Sequence, residues 1–381
     1  MGATGLRLLA DDLTGALDTA AELAGLAGPV HAFWHGAIPP ELPGNAALDS
    51  GTREMDAASA VARVAALAPA LIGASLAYKK IDSLLRGPTL AEAAACLRAG
   101  PWERAVLAPA FPYQGRVTRG SVQHARDAHG RWSAVSGDIV AGLRAEDVPA
   151  QAGRLDAPLP PDGITVFDAE TDEDLRRVAA LGEAAPGPVL WMGTGGLAQA
   201  LARAAPAGAG AELPPPLLGL FGSDQAATAG QLAACGADWL RLRDGGPADA
   251  SRVAARLRAE GRALASLDLP GGLARDEAAR RIGAALHRLV QDLPPPGTLL
   301  VAGGETLRGL CLSLGARGLE VRGRIVPGLP RSVLRGGRWD GAAVVSKSGA
   351  FGPPDLLRDL LRDLLRGDLS HGASIETERT A

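Results

Sequence analysis

Lysine is nearly missing from this chain of 381 residues: it occurs only at Lys79, Lys80 and Lys347, and arginine supplies nearly all the other positive charge. Where arginine serves for ordinary cations, a retained lysine marks a place that needs a compact, flexible ammonium rather than a planar fork. Aromatic residues make up 3% of the chain, asparagine occurs once (Asn45), and basic and acidic residues are interleaved to a net charge of −3. Without a basic stripe carrying aromatic platforms, nucleic acid is not an expected partner. The three cysteines, Cys96, Cys235 and Cys311, sit in apolar helix-like runs without metal-type spacing. Buried thiols in a reducing, cytoplasmic setting account for them. The six histidines show no ligand spacing, and neither a G-x-S-x-G elbow nor a Cys–His pairing occurs, so a structural metal or a hydrolase has no anchor. No apolar run approaches the ~18 residues of a membrane span, and Asp11 and Asp12 interrupt the N-terminal one.

What is present is an ordinary globular composition, 47% hydrophobic and 21% charged, in a chain longer than one core usually serves. Short β-like runs at 6–10, 30–34, 46–49, 75–81, 105–108, 164–168 and 189–192 alternate with helix-like runs. After a Pro/Gly-rich stretch the rhythm resumes at 217–221, 239–242, 263–269, 299–302 and 344–347. Such alternation predicts an α/β protein of two domains, each a mostly parallel sheet flanked by helices. The expected boundaries are an N-terminal domain at 1–205, a linker at 206–216, a C-terminal domain at 217–366 and a disordered tail from 367. The repeat LLRDLLRDLLRG reads as an amphipathic surface helix with Asp–Arg pairs.

In open α/β sheets ligands bind beyond the carboxyl ends of strands, where helix N-termini and glycine turns expose backbone amides. Three strand ends in the first half are rich in such chemistry. Asp11 and Asp12 close the first strand side by side. Capping the next helix would employ only one of them, which leaves a carboxylate for a ligand. The turn at 78–87 gathers Lys79, Lys80, Asp82, Ser83 and Arg86, a set that clamps an anionic polyol: cations for its acid group, Asp and Ser for its hydroxyls. Arg53, just past the strand at 46–49, is placed to join it. The loop at 109–116, with two prolines and a glycine, has the rigidity of a substrate-shaping loop.

In the second half, Gly303 and Gly304 followed by Glu305 and Thr306 form a strand-to-helix phosphate cradle, although no Walker motif exists in the chain. Lys347 with Gly349, Ser223, and Gly328 stand in further phosphate-compatible turns. Residues 193–198 also fit the G-x-G-x-x-G/A dinucleotide pattern, but no acidic residue ends a second strand ~20 residues on, which favours a plain tight turn.

Taken in order, these motifs resemble the four-carbon acid sugar kinase family (DUF1537 proteins). Residues 10–16 match its A-D-D-x-T-G-A, 80–87 its K-x-D-S-x-L-R-G, and 109–116 its P-A-x-P-x-x-G-R. Further on, 303–306 match G-G-E-T, 327–330 match P-G-V-P, and 347–352 match K-S-G-N-F-G. The correspondence is collinear from residue 5 to about 363. The resemblance implies ATP-dependent phosphorylation of the terminal hydroxyl of threonate, erythronate or 3-oxo-tetronate, with Mg2+. It places Asp12, Arg53, Lys80, Ile81, Asp82 and Ser83 on the substrate, and Ser223, Gly303, Gly304, Glu305, Thr306 and Gly349 on ATP. Arg86 joins the substrate group, and Gly328 and Lys347 the nucleotide group, by their places in the matched motifs. Asp12 is expected to position the attacking hydroxyl, with Asp82 second, and Lys80 and Arg53 to hold the acid group. The metal ligands are not indicated, and a homodimer is the expected assembly. Ala350 stands where the family has Asn, and Leu307 and Arg308 replace small residues. A sugar-acid or nucleotide sensor without turnover, and an NAD-dependent oxidoreductase resting on the turn at 193–198, are the alternatives.

Overall fold

The computed structural model describes residues 4–127, 129–203, 213–222, 225–270 and 272–366. Residues 206–212 of the expected linker and the expected tail from 367 lie outside them. The chain divides into two compact units, Met1–Ala207 and Gly208–Ala381.

The first unit carries, in chain order, β1 (Thr4–Ala10), β2 (Val30–Trp34), β3 (Ala46–Asp49), β4 (Ala74–Lys80), β5 (Arg104–Ala108), β6 (Arg116–Arg119), β7 (Val122–Arg126), β8 (Trp132–Asp138), β9 (Ala150–Ala152), β10 (Gly163–Val166) and β11 (Val189–Gly193). Its helices are α1 (Leu13–Ala27), α2 (Ala57–Leu67), α3 (Thr89–Arg98), α4 (Ile139–Ala145), α5 (Asp172–Glu183) and α6 (Gly195–Ala202). The main sheet has the order β2-β3-β1-β4-β11-β5-β10-β9 and is parallel throughout. Its central strands are short apolar runs rather than alternating ones, since helices cover both faces: Leu8, Leu9 and Ala10, and likewise Val106, Leu107 and Ala108, are buried without a break. One helical layer is α1, α5 and α6, the other α2, α3 and α4.

Register, more than strand order, positions the polar side chains at the strand ends. Ala10 lies opposite both Asp49 and Lys80, and Gly193 opposite Lys80 and Ala108, so the carboxyl ends finish on one level. The chain leaves β1 for β2 and β3 on one side and β4 on the other, which opens a crevice at the end of β1.

Strands β6, β7 and β8 form a separate antiparallel sheet that the alternation of apolar runs does not predict. Every residue of β8 is at least partly exposed, so its sequence carries no burial pattern to read.

The second unit contains β12 (Leu217–Phe221), α7 (Ala226–Ala234), β13 (Trp239–Leu242), α8 (Pro247–Glu260), β14 (Arg262–Leu267), α9 (Arg275–Asp292), β15 (Thr298–Ala302) and α10 (Gly304–Leu314), then β16 (Gly318–Arg324), β17 (Pro330–Arg335), β18 (Ala343–Lys347) and α11 (Leu356–Arg366). The order is β13-β14-β12-β15-β18-β17-β16, and β17 runs antiparallel to both of its neighbours, β16 and β18. Here the switch point falls between β12 and β15. Helix α11 is the repeat read as amphipathic: Leu356, Leu357, Leu360 and Leu361 are buried, while Arg358 pairs with Asp355 (3.1 Å) and Asp359 (3.4 Å) on the outer side. Among the described residues no helix is long and apolar enough to cross a membrane.

Candidate active site

At the crevice of the first unit, α1 begins at Asp12, whose carboxylate accepts the Gly15 N–H at 2.7 Å as an N-cap. Arg53, held by the turn after β3, donates Nε to Asp11 Oδ2 at 2.7 Å and Nη1 to Asp12 Oδ2, and its Nη2 lies 3.6 Å from Asp82 Oδ1. The adjacent aspartates are therefore tied to one planar guanidinium, which offsets their repulsion. Burial pushes the Asp12 carboxyl up, and although Arg53 pulls it back, Asp11 helps keep it above its ordinary value. Asp11, buried more tightly, ends below its ordinary value because Arg53 and Lys80 outweigh desolvation.

The turn after β4 supplies the rest. Asp82 accepts the backbone N–H groups of Leu84 and Arg86, and a two-pronged bond from the Arg86 side chain at 2.8 and 2.7 Å. Burial acts against its charge, yet Arg86 and Arg53 hold the carboxyl far below the carboxylate range, so it is a permanent anion with its oxygens committed. Strand alternation sends the two lysines to opposite faces. Lys79 goes under α3, where its Nζ donates to Glu92 at 2.6 Å with both side chains buried. Lys80 goes to the crevice: a Cβ on Gly15 would lie 2.9 Å from Lys80 Nζ and 2.7 Å from Asp12 Oδ1. Among the described residues Lys80 makes no ion pair, its one hydrogen bond being to the Ile81 carbonyl at 2.7 Å. Ile81 itself is buried, and the Ser83 hydroxyl has no partner among the described residues, its carbonyl alone being engaged.

The structure thus brings together Asp12, Arg53, Lys80, Asp82, Ser83 and Arg86. It removes Lys79 from the clamp and uses most of Arg53 inside the protein. It also adds Asp18, further along α1, with an Oδ1 that is buried and has no partner among the described residues. Burial lifts that carboxyl to about 7, against the pull of Lys80 and with Asp12 and Glu22 adding to the rise.

In the second unit, β15 ends at a Gly303 with φ of +96°, and α10 starts at Gly304, leaving its first amides free of helical acceptors. A Cβ on Gly222, just past β12, would lie 2.6 Å from Thr306 Oγ1, so the two turns meet as a cradle that only glycine lines. That arrangement fits a polyphosphate. Ser223 lies outside the described residues. Lys347 ends β18 almost fully buried, and its Nζ donates to Ser348 O (2.9 Å), Phe351 O (3.2 Å) and Thr228 Oγ1 (3.1 Å). Burial brings this ammonium down to about 8. Thr228 donates to Gly349 O at 2.6 Å, and Gln231 Nε2 to the Phe351, Gly352 and Pro353 carbonyls at 3.0, 3.1 and 2.9 Å. Lys347 therefore acts from inside, shaping the loop that presents Gly349. Gly328 is closed over by the Phe351 ring, which occupies the space a Cβ would need.

The dinucleotide-like turn proves to be a packing device. Gly195 and Gly196 lie against Phe111 and Ala110, and Thr194 caps α6.

A sugar-binding N-terminal domain family matches residues 6–152, and a nucleotide-binding C-terminal domain family residues 248–357. The chain is 32% identical to a D-threonate kinase of Bordetella bronchiseptica over 94% of this chain and 96% of that one. It belongs to the four-carbon acid sugar kinase family. A second relative, a D-threonate kinase of Cupriavidus necator, is 34% identical over 74% of this chain and 78% of its own. A solved structure from Salmonella typhimurium LT2 shares the fold, with a TM-score of 0.74 at 21% identity over 94% of this chain and 99% of that one.

Residues of this family member that sequence reasoning passes over are Asp18 and Gln123, whereas Thr228 and Gln231 fall in the stretch 219–231 that resembles the family's G-S…T…Q segment. Asp18 and Gln123 act from within a helix and the small sheet, away from strand ends. Only the unusual burial of polar side chains, visible in the fold, marks them. Among the described residues no group of three or more His, Cys, Asp or Glu could hold a metal ion.

Proposed function

We propose that this chain is an ATP-dependent kinase for the terminal hydroxyl of a four-carbon sugar acid, with D-threonate the first substrate to test. The observation that carries the reading is the Asp12–Arg53–Lys80 constellation at the crevice of a domain matched by a sugar-binding family. Two relatives named D-threonate kinase support the substrate class.

Asp12 takes the proton of the attacking hydroxyl. Its raised affinity for protons suits a base, whereas Asp82 is too strongly stabilised as an anion and too fully bonded. Arg53, anchored on Asp11 through Nε, holds Asp12 directly through Nη1 and favours its ionised form. Lys80 offers the substrate its unpaired ammonium, and Ser83 a hydroxyl for the polyol. In the second unit, the amides of Gly304, Glu305 and Thr306 and the Gly349 loop would hold the ATP phosphates. ATP, when bound, would supply the phosphoryl group, and Mg2+ would help neutralise the charge of its phosphates.

The test is ADP release with D- and L-threonate, D-erythronate and 3-oxo-tetronate. Asp12→Asn keeps a side-chain oxygen for the cap but loses the base. Its turnover should fall at least ~10²-fold while ATP affinity holds. Wild-type turnover in that variant removes Asp12 from the chemistry, and no turnover on any acid with ATP bound refutes the substrate class.

A further inference from the structure

Arg116 opens β6, its backbone N–H donating to Phe111 O at 3.1 Å and its carbonyl accepting Phe111 N–H at 2.9 Å. The fold presses this strand against the turn that carries Asp82. Gln123, completely buried on β7, makes the connection: its Nε2 donates to Ser83 O at 2.9 Å and Pro109 O at 3.0 Å, and its Oε1 accepts from Thr118 Oγ1 at 2.8 Å. The Arg116 guanidinium consequently lies in the field of Asp82 and Arg86.

Yet it pairs with neither. Nη1 donates to the Gln114 carbonyl at 2.6 Å and the Gly115 carbonyl at 3.1 Å, and the Nε–H is buried without an acceptor among the described residues. A buried guanidinium donor left unmatched is costly, and Nη2, with no hydrogen bond among the described residues, is the donor left to meet a carboxylate. The neighbouring charges are already balanced. Asp11 and Asp12 engage Arg53, Asp82 engages Arg86, and Lys80 sits in the combined field of these carboxylates. Among the described residues Arg116, like Lys80, makes no ion pair at this crevice.

We infer that Arg116 receives the carboxylate of the substrate acid and is the residue by which the site prefers an acid to a neutral polyol. The inference rests on the sugar-acid kinase reading and deepens it: Lys80, over Gly15 and beside Asp12, then serves the hydroxyl end of the substrate.

The experiment compares D-threonate with threitol, a neutral polyol with the same terminal hydroxyl, in wild type, Arg116→Met, Arg116→Gln and Arg116→Lys. Loss of the charged contact should raise KM for D-threonate about 100-fold with kcat little changed, and Arg116→Lys should recover part of it. The preference for D-threonate over threitol should collapse by the same factor. Equal loss on both compounds, or an unchanged KM for D-threonate, overturns the assignment. Melting curves pick out any variant that fails to fold, and the remaining two substitutions then decide. If wild type turns over no acid, the kinase reading fails. Calorimetric binding of D-threonate to wild type and Arg116→Gln then still decides whether Arg116 holds the carboxylate, with equal affinity refuting it.

Discussion

Glu92→Gln should destabilise this protein strongly, because it breaks a fully buried ion pair whose remaining lysine has nowhere to go. Lys79 and Glu92 are 0% and 2% exposed and meet at 2.6 Å between β4 and α3. Burial alone would lower the Lys79 pKa, but Glu92, and after it Asp11, lift it above its ordinary value. A lysine raised in this way contributes its stability through neutral pH and loses it only in strong alkali. Removing the carboxylate charge leaves a buried ammonium short of its partner, a loss of about 3–5 kcal/mol. At roughly 2–4 °C per kcal/mol for a unit of this size, the melting temperature should fall by roughly 6–20 °C. The paired change Lys79→Met with Glu92→Leu should restore stability to near wild type, since an apolar pair avoids the desolvation cost altogether. Turnover below the melting temperature should survive in that double variant, because Lys79 faces away from Asp12. Calorimetric melts with turnover at 25 °C decide the matter. A Glu92→Gln melt within a degree or two of wild type, or a folded double variant without activity, would refute the division of labour between the two lysines.

Two further tests address groups that the strand-end motifs do not contain. The Asp18 carboxyl, lifted to about 7 by burial, holds its proton to higher pH in the folded state than in the unfolded chain. Its ionisation therefore removes stability as pH rises from about 4 toward 7. Asp18→Asn should raise the melting temperature more at pH 8 than at pH 4, and an equal difference at both would show that its titration is not linked to folding. Gln231→Ala strips donors from three loop carbonyls. It should raise the KM for ATP about tenfold and leave that for the acid unchanged. No change in either would separate the loop from the nucleotide site.

Much of the scaffold is legible without coordinates. The central parallel strands read as uninterrupted apolar runs, as at 105–108 and 217–221, because both faces are covered and every residue is buried. The polar clusters at their ends stand out for the same reason: Asp11 and Asp12, Lys80 to Arg86, and Gly303 to Thr306 interrupt apolar sequence abruptly. The small sheet is not legible in this way because β8 is exposed along its length. In β16, buried Leu319 and Val321 do alternate with Glu320 and Arg322, a period-two signal present in the sequence.

The chemistry of the site divides along another line. The sequence by itself determined which residue types meet at the crevice, since parallel strands of matched register bring their ends to one level whatever the side chains do. The lysines retained among so many arginines belong to the same level of information. Only the tertiary structure decided which charges are spent. It buries Lys79 on Glu92 and leaves Lys80 open, closes Arg53 between two aspartates, turns Lys347 onto carbonyls, and leaves the Arg116 Nε–H without an acceptor among the described residues. Each outcome depends on distances of a few ångströms between residues far apart in the chain, and electrostatic pairing and desolvation change sign over just such distances.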